Sequence, residues 1–596
     1  MSPFRFAFAT IMTGSIRWQH FDSATLAAAA TADRPVLMVL TVPWCQHCRE
    51  LMATTFADPQ IVAKVNDDFV PVHIDAERRP DVNQRYGTGA WPTIAWLTPG
   101  GELITHQNFL DAEALSSQLD RVRAAWRDRR GDIERGVADI VANASHAEAP
   151  IRTKLRRQMT EDVASAIYEK FDHRHGGFGE TSKFPHPEAL DFALVQAQKR
   201  GDERMREVVT LTLDRMMQSP LHDHVDGGFF RFSQTPDWHT PNYEKLLDQN
   251  ALVLRAYLEA YQVFDNEAYR RAAEGIVEWM LTTMREPGSG AFAGSQNGDM
   301  DYFAGGGSER SHRPPPLLDR TVYCHANAIA VSSLLKASAV LSQPHWREHA
   351  MATLGFLLDN LYDGREVYHY WDGTYHLPGM LADQACLIRA LIDASQHTGD
   401  SDLLQPAEAI ADRAIERQKS KTGGFYDILH DPGNAGSMRR RNRSILDNAT
   451  MAESLMRLSY LARRPELFAE AISALESFAS DYREYGYYVA GYGRAVDLVF
   501  YEPLFVTIVG DRDDGRAVQL RRAALSTYVP SRIVQSLDPD RDPVLLERSG
   551  LEIRDYPIAY LAIGSTVQSV AGDDAELLEA MAKLQSERRA KLRRPN

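Results

Sequence analysis

The chain has 596 residues, 44% hydrophobic and 25% charged, with a formal net charge of −15 at pH 7 and four cysteines. That length calls for more than one core, the acidic balance argues against nucleic-acid and anionic-membrane partners, and so few cysteines argue against a secreted disulfide scaffold. No apolar run approaches the ~20 residues of a membrane span, and Met1 to Ile16, interrupted by Arg5, makes a poor signal peptide, so a cytoplasmic location is expected.

The first strong signal along the chain is the apolar run Val36 to Val42, followed by Pro43-Trp44 and Cys45-Gln46-His47-Cys48. Two thiols three positions apart at a strand-to-helix turn are the working end of a thioredoxin-like redox motif. A helix starting there aims its unpaired N–H groups and positive dipole end at the Cys45 sulfur and favours the thiolate. Cys45 is thus the expected attacking thiol and Cys48, one turn further in, the resolving thiol. His47, when protonated, is expected to lower the Cys45 pKa further. Strand patterns follow at Val70 to Asp75 and Ile94 to Leu97, Pro92 is the candidate cis proline beside the dithiol, and Asp111 to Trp126 reads as a closing helix. A structural zinc site wants four ligands and no second cysteine pair exists; a domain that keeps this fold without a redox role is the other alternative.

From about Asp132 helical patterns take over. Leu254, Tyr257, Leu258 and Tyr261 repeat at helical spacing, as do Ala273, Ile276, Val277 and Met280. Glycine-aromatic loops separate helix pairs at Gly176-Gly177-Phe178, Gly227-Gly228-Phe229, Gly290-Ala291-Phe292 and Gly423-Gly424-Phe425. A second recurrence marks helix starts: Asn250, Asn327, Gln384 and Asn448, at intervals of 77, 57 and 64 residues. A repeating helical hairpin with variable loops fits both, and several such hairpins over about 360 residues suggest an (α/α)6 toroid with a funnel at one end of its inner helices. The β-run Leu504 to Val509, a helix near Arg516 to Leu525, and strands at Ser531 to Val534 and Ala559 to Ile563 then read as a small α/β segment ending in a charged helix from Asp574 to Leu592. The expected fold class is therefore multidomain α/β plus all-α: a thioredoxin-like domain at 1–128, an (α/α)6 toroid at 133–500, and a small α/β segment at 501–596.

Several stretches occur together and in order: Phe56-Ala57-Asp58-Pro59, Asp75 with Glu77-Arg78-Arg79-Pro80-Asp81, Trp91-Pro92, Gly176-Gly177-Phe178-Gly179 with Lys183-Phe184-Pro185, Gly227-Gly228-Phe229 with Arg231-Phe232-Ser233, Glu244-Lys245, and Asp447-Asn448-Ala449-Thr450. On these the chain resembles the YyaL-like family, the spermatogenesis-associated thioredoxin-domain proteins, in which a thioredoxin-like domain precedes a six-hairpin toroid. It resembles them as a divergent member. Gln46 and Arg49 stand where the family has histidines, Asn242 replaces a funnel histidine, Gln249 takes the place of an acid with Asp248 displaced by one, the family's Ser-Trp-Asn-Gly is reduced to His325-Ala326-Asn327-Ala328, and a late cysteine pair is missing from Ala559 to Gly564.

Toroids of this class commonly act on sugars with paired acid and base groups across a bound ring. The candidates are Asp226, His239, Glu244, Asp248, Asp299, His325, Asp383 and Asp447, with Phe229, Trp238, Tyr243 and Trp371 as aromatic platforms and Asn250 and Asn327 as polar ligand contacts. Each has a structural counterpart: Asp383 and Asp447 as helix caps, His325 as a hydrogen-bonded structural histidine, the glycine-aromatic loops as tight connections with a core phenylalanine, and Glu244-Lys245 as an ion pair on the rim. No metal site is expected, because His222 and His224 sit i, i+2 in a loop, and no cofactor is expected. The leading reading is a thiol–disulfide oxidoreductase fused to a toroid that binds a carbohydrate or protein ligand, with disulfide-bearing or thioredoxin-system partners; its rivals are a sugar epimerase or hydrolase with a structural thioredoxin-like domain, and a binding scaffold without either activity.

Overall fold

The computed structural model describes residues 15–146, 153–551 and 556–593; the stretch read as a poor signal peptide lies almost wholly outside them. No helix among the described residues is long and apolar enough to cross a membrane. The chain divides into two compact units, Met1–Glu148 with Asp431–Arg440, and Ala149–His430 with Arg441–Asn596.

The first unit is thioredoxin-like. Strands β1 (Val36–Thr41), β2 (Val70–Asp75), β3 (Thr93–Leu97) and β4 (Leu103–Gln107) form one sheet in the order β2-β1-β3-β4, with β2 parallel to β1 and β3 antiparallel to it. Every residue of β1 is buried, as a central strand covered on both faces must be. Leu37, Val39, Phe69 and Trp96 build the core on one face. Asp58 accepts main-chain N–H groups of Gln60 and Ile61, and Pro59 opens the next helix, so Asp58-Pro59 is a helix start. The closing helix is longer than its sequence pattern, Ala112–His146, with a break in helical geometry at Arg129. Residues 431–440 belong to this unit through Tyr86, whose hydroxyl donates to Gly101 O (2.7 Å) and accepts from Ser437 N (3.1 Å). Gly436 has a φ of 55° and a Cβ there would lie 2.1 Å from Gly101 O, so this position takes only glycine.

The second unit is an (α/α)6 toroid with a C-terminal α/β lobe. Six inner helices, Pro187–Arg200, Leu247–Phe264, Cys324–Val340, Leu381–Thr398, Ile445–Leu461 and Ala490–Phe500, pack each on the next, and the sixth returns to the first. Gln158–Lys170, Glu203–Gln218, Glu267–Trp279, Pro344–Asn360, Leu404–Gln418 and Pro465–Glu476 pair with them as the outer ring.

At three junctions the two sequence recurrences are one structural device, whereas Gln384 donates to Gln418 (2.6 Å). Outer helices end in tight reversals bridged at Phe171/Phe178, His222/Phe229, Arg285/Phe292 and Lys419/Phe425. An amide at the start of an inner helix then grips the aromatic residue's main chain: Asn250 accepts Phe229 N–H (2.7 Å) and donates to Phe229 O (2.9 Å), Asn327 does so with Phe292 (2.8 and 3.1 Å), and Asn448 with Phe425 (2.6 and 2.9 Å). Gly228 (φ 77°) lies so close that a Cβ would meet Asn250 Oδ1 at 3.1 Å. Two buried lysines brace the Gly-Gly turns from below: Lys183 Nζ bonds Asp172 (2.7 Å) and Gly176 O (2.8 Å), and Lys245 Nζ bonds Asp223 (2.6 Å) and Gly227 O (2.7 Å).

The C-terminal lobe is more than a small α/β tail. Strands Leu504–Val509, Arg532–Leu537, Ile558–Ile563 and Thr566–Ala571 repeat the order and directions of the first unit's sheet: the second is parallel to the first, the third antiparallel to it and the fourth antiparallel to the third. Tyr556-Pro557 is cis before the third strand, as Trp91-Pro92 is before β3. Where the first unit has Cys45 four residues after β1, this lobe has Asp513 four residues after its first strand. The missing dithiol is why its likeness to the first unit is hidden in the sequence.

Candidate functional site

Cys45 is the N-cap of the helix Gln46–Ala53, and its sulfur accepts the Cys48 main-chain N–H at 3.2 Å. The sulfur also lies 3.8 Å from Trp91 O, beside cis-Pro92. Trp44, edge-on to Trp91 at 5.5 Å, is held by a 3.0 Å bond from its indole N–H to Glu77. Both thiols are buried, 5% exposed at Cys45 and 2% at Cys48. The hydrogen bond to Cys45, reinforced by burial, pushes the Cys48 thiol far above its ordinary range. Cys45 is the sulfur at the helix N-terminus, where unpaired N–H groups and the helix dipole favour a thiolate. His47 points elsewhere: its exposed ring faces Glu50 (3.6 Å) and Phe109 (6.3 Å between centroids), which leaves the helix terminus, not this imidazole, in contact with the thiol.

In the second unit, the first turns of the inner helices bring a different set together. Asp383, fully buried, accepts the His325 main-chain N–H (3.0 Å), faces His325 Nδ1 (3.5 Å) and bonds His369 Nδ1 (2.8 Å); the two imidazoles stack in parallel 5.6 Å apart. Burial opposes ionisation of Asp383, but the His369 ring and the hydrogen bonds from both histidines outweigh it and hold its carboxyl below the usual range. Asp447, one inner helix on, has the opposite balance. Burial and the neighbouring Asp427 and Asp383 push it up to about 6, against the Ser444 hydrogen bond and the pull of His325. Cys386, a turn after Asp383, is pushed up to about 12 chiefly by burial, with Asp383, Asp447 and Asp248 adding to it against Arg389. Glu188, near Asp248 and Arg389, is raised by burial. Two carboxyls with divergent affinities for a proton, and two histidines, thus cluster around the first turns of neighbouring inner helices.

The remaining candidates lie elsewhere in the unit. Asp226 is bound by Arg310 (2.8 Å) in the Asp223–Lys245 cluster, a brace for the Gly227-Gly228 turn. His239 is an exposed loop residue bonded to Asp237 O. Glu244 is buried beneath Gly298 and accepts from Asn242 (3.3 Å), while Lys245 pairs with Asp223 (2.6 Å). Asp299 caps a one-turn helix through Tyr302 N–H. Phe229 and Trp238 cannot serve as platforms: both are fully buried, Phe229 stacked between His222 and Tyr257, and Trp238 bonded to His175 O (2.8 Å). Asn250 and Asn327 are consumed by the loop clamps. Tyr243 stacks on Phe303, and Trp371 meets Phe356 edge-on.

Three participants escaped the sequence reading: His369, Cys386 and Arg389. His369 sits in Tyr368-His369-Tyr370-Trp371, a strand hairpinned to Tyr375–Pro378, and no spacing rule links it to Asp383 fourteen residues on. The aromatic density around it was the available signal. The nitrogens of His325 and His369 and an Asp383 oxygen all lie within 4.8 Å of one another, compatible with a divalent metal. The direct 2.8 Å His369–Asp383 bond instead suits a set that holds and moves a proton.

A thioredoxin-like unit with an N-capped dithiol, and an (α/α)6 toroid with a carboxylate–histidine cluster, define a two-module protein of thioredoxin-like and glycosidase-like toroid folds. Residues 7–145 match the Thioredox_DsbH family, described as "Protein of unknown function, DUF255". The chain is 22% identical to human spermatogenesis-associated protein 20 over 88% of its own length and 84% of that protein's; the mouse protein is 26% identical over 48% of this chain and 39% of its own length. The family resemblance read from the motifs therefore stands. Protein disulfide-isomerase erp38 of Neurospora crassa is 36% identical across 20% of this chain and 33% of its own. A solved sugar epimerase from a ruminal bacterium superposes with a TM-score of 0.49 at 13% identity, over 58% of this chain and 97% of that one.

Proposed function

We propose that the first unit catalyses thiol–disulfide exchange. The observation that carries this reading is the Cys45 sulfur at a helix N-terminus, accepting the Cys48 N–H while Cys48 is held as a thiol. The Cys45 thiolate attacks a partner disulfide, forming a mixed disulfide and releasing one partner thiolate. Cys48 then attacks Cys45 Sγ, its proton passing to the second departing thiolate. The partner gains two electrons and the Cys45–Cys48 pair becomes a disulfide, to be reduced again by an external dithiol. Cys48→Ser is the test: it should accumulate a reductant-sensitive mixed disulfide at Cys45, detected by mass spectrometry. No adduct in Cys48→Ser, together with unreactive wild-type thiols, would make this unit structural.

The funnel supports a second reading, proton transfer on a carbohydrate in the manner of an epimerase or hydrolase. What favours it is Asp383 ionised between His325 and His369, beside an Asp447 that holds its proton to about pH 6. Asp447 would serve as acid and the Asp383-oriented His369 as base. Calorimetry against mono- and oligosaccharides, with Asp447→Asn and His369→Gln as controls, tests it; absence of saturable binding across such a screen would overturn it.

A further inference from the structure

Beyond the first turns of the inner helices lies a partly open cavity of about 130 Å³, bordered by Thr527–Ile533 of the C-terminal lobe. The Arg389–Glu453 pair (3.2 Å) stands between it and the funnel residues Asp383 and Cys386. The cavity is lined by charge from every inner helix, and the charges do not balance. Asp393 pairs with Arg457, and Asp191 with Arg494 (3.6 Å). Glu259, however, is shared by Arg255 (3.1 Å) and Lys336 (2.7 Å), so two cations have one carboxylate. Arg532 has no ion-pair partner among the described residues; it spends its guanidinium on the main-chain oxygens of Ala524, Leu525 and Thr527. The surplus is two positive charges. The Tyr528 hydroxyl, buried in the same wall, has no hydrogen-bond partner among the described residues.

From this pairing we infer a site for a small dianionic oxyanion, inorganic phosphate being the ligand that fits. Two half-buried cations without a matching carboxylate repel one another across the cavity, and an oxyanion would neutralise both while accepting from Tyr528. The space suffices for a small anion, since a cavity of ~150 Å³ admits benzene and phosphate is smaller. Burial pushes Arg532 down to about 10, which still leaves it charged at neutral pH. The site is independent of both proposed activities.

The experiment is calorimetric titration of the full chain with inorganic phosphate, with sulfate and with glucose 6-phosphate, ionic strength held constant with sodium chloride. Saturable binding of one phosphate per chain, weakened at least tenfold by Lys336→Met and about threefold to tenfold by Tyr528→Phe, is expected, with a matching loss of the phosphate-induced rise in Tm. Tyr528→Phe removes only a hydroxyl and keeps the test readable if Lys336→Met folds poorly. Sulfate binding at the same site supports the charge argument. Preference for the hexose phosphate would overturn the assignment of a small anion, and no phosphate response above that of chloride would overturn the site.

Discussion

Asp383 reaches across from its own helix to cap the neighbouring one: its Oδ1 accepts the His325 main-chain N–H at 3.0 Å, while its Oδ2 orients His369 at 2.8 Å. One carboxylate thereby joins two inner helices to the Tyr368–Trp371 strand. Asp383→Ala should cost about 1–3 kcal/mol, the penalty of leaving buried donors unpaired. Asp383→Asn keeps an acceptor for His325 and should retain more stability while losing any saccharide turnover. Urea denaturation beside a turnover assay separates the two, and equal stability losses would show that the charge itself holds the helices.

The raised pKa of Asp447 has a definite sign. Its folded value, about 6, lies above its ordinary 3.8, so it contributes stability fully below pH 3.8 and loses that contribution as pH rises through 6. Asp447→Asn should therefore be more stable than the wild type at pH 8, with the gap closing towards pH 4. Thermal denaturation at the two pH values checks this, and a gap independent of pH would contradict it.

Thiol reactivity should be ordered. With Cys48 held protonated beneath it, Cys45 should be alkylated first by a small iodoacetamide probe at pH 7, and Cys324, buried with its thiol raised well above the ordinary range, should resist. Peptide mapping over a time course reads the order; simultaneous labelling of Cys45 and Cys48 would argue against the assigned roles.

The loop clamps predict stability effects without chemical ones. Asn448→Ala strips both partners from the buried main chain of Phe425 and should cost about 2–5 kcal/mol. Trp238→Ala should cost about 3–5 kcal/mol by opening a cavity against Gly177. Neither should alter labelling at Cys45, which lies in the other unit; unchanged denaturation curves would refute the clamp.

Patterns with a short physical range were legible in the sequence. Cys45 to Cys48 is a local motif, and the apolar periodicity of helices such as Leu247–Phe264 marks the rings directly. The recurring asparagines were visible too, but their purpose was not: a sequence shows that Asn250 and Phe229 recur, not that one grips the other. The funnel was half legible for the same reason. Asp383 and His325 sit at helix starts, whereas His369 arrives on a hairpin whose position depends on folding. Phe229 and Trp238 looked like platforms because aromatic residues beside glycines look alike whether they face solvent or core.

The clamps at Phe229, Phe292 and Phe425 have an evolutionary consequence. Because each fixes the junction between an outer and an inner helix with one asparagine side chain on the main chain of a single residue, the chain beyond the grip is free to lengthen. That is how unequal intervals between asparagines coexist with a regular ring, and how the Tyr368–Pro378 hairpin brings a histidine over the funnel. The ring behaves as a mounting frame: new chemistry can be spliced into its rim loops, one sector at a time, without retuning the helices that carry them.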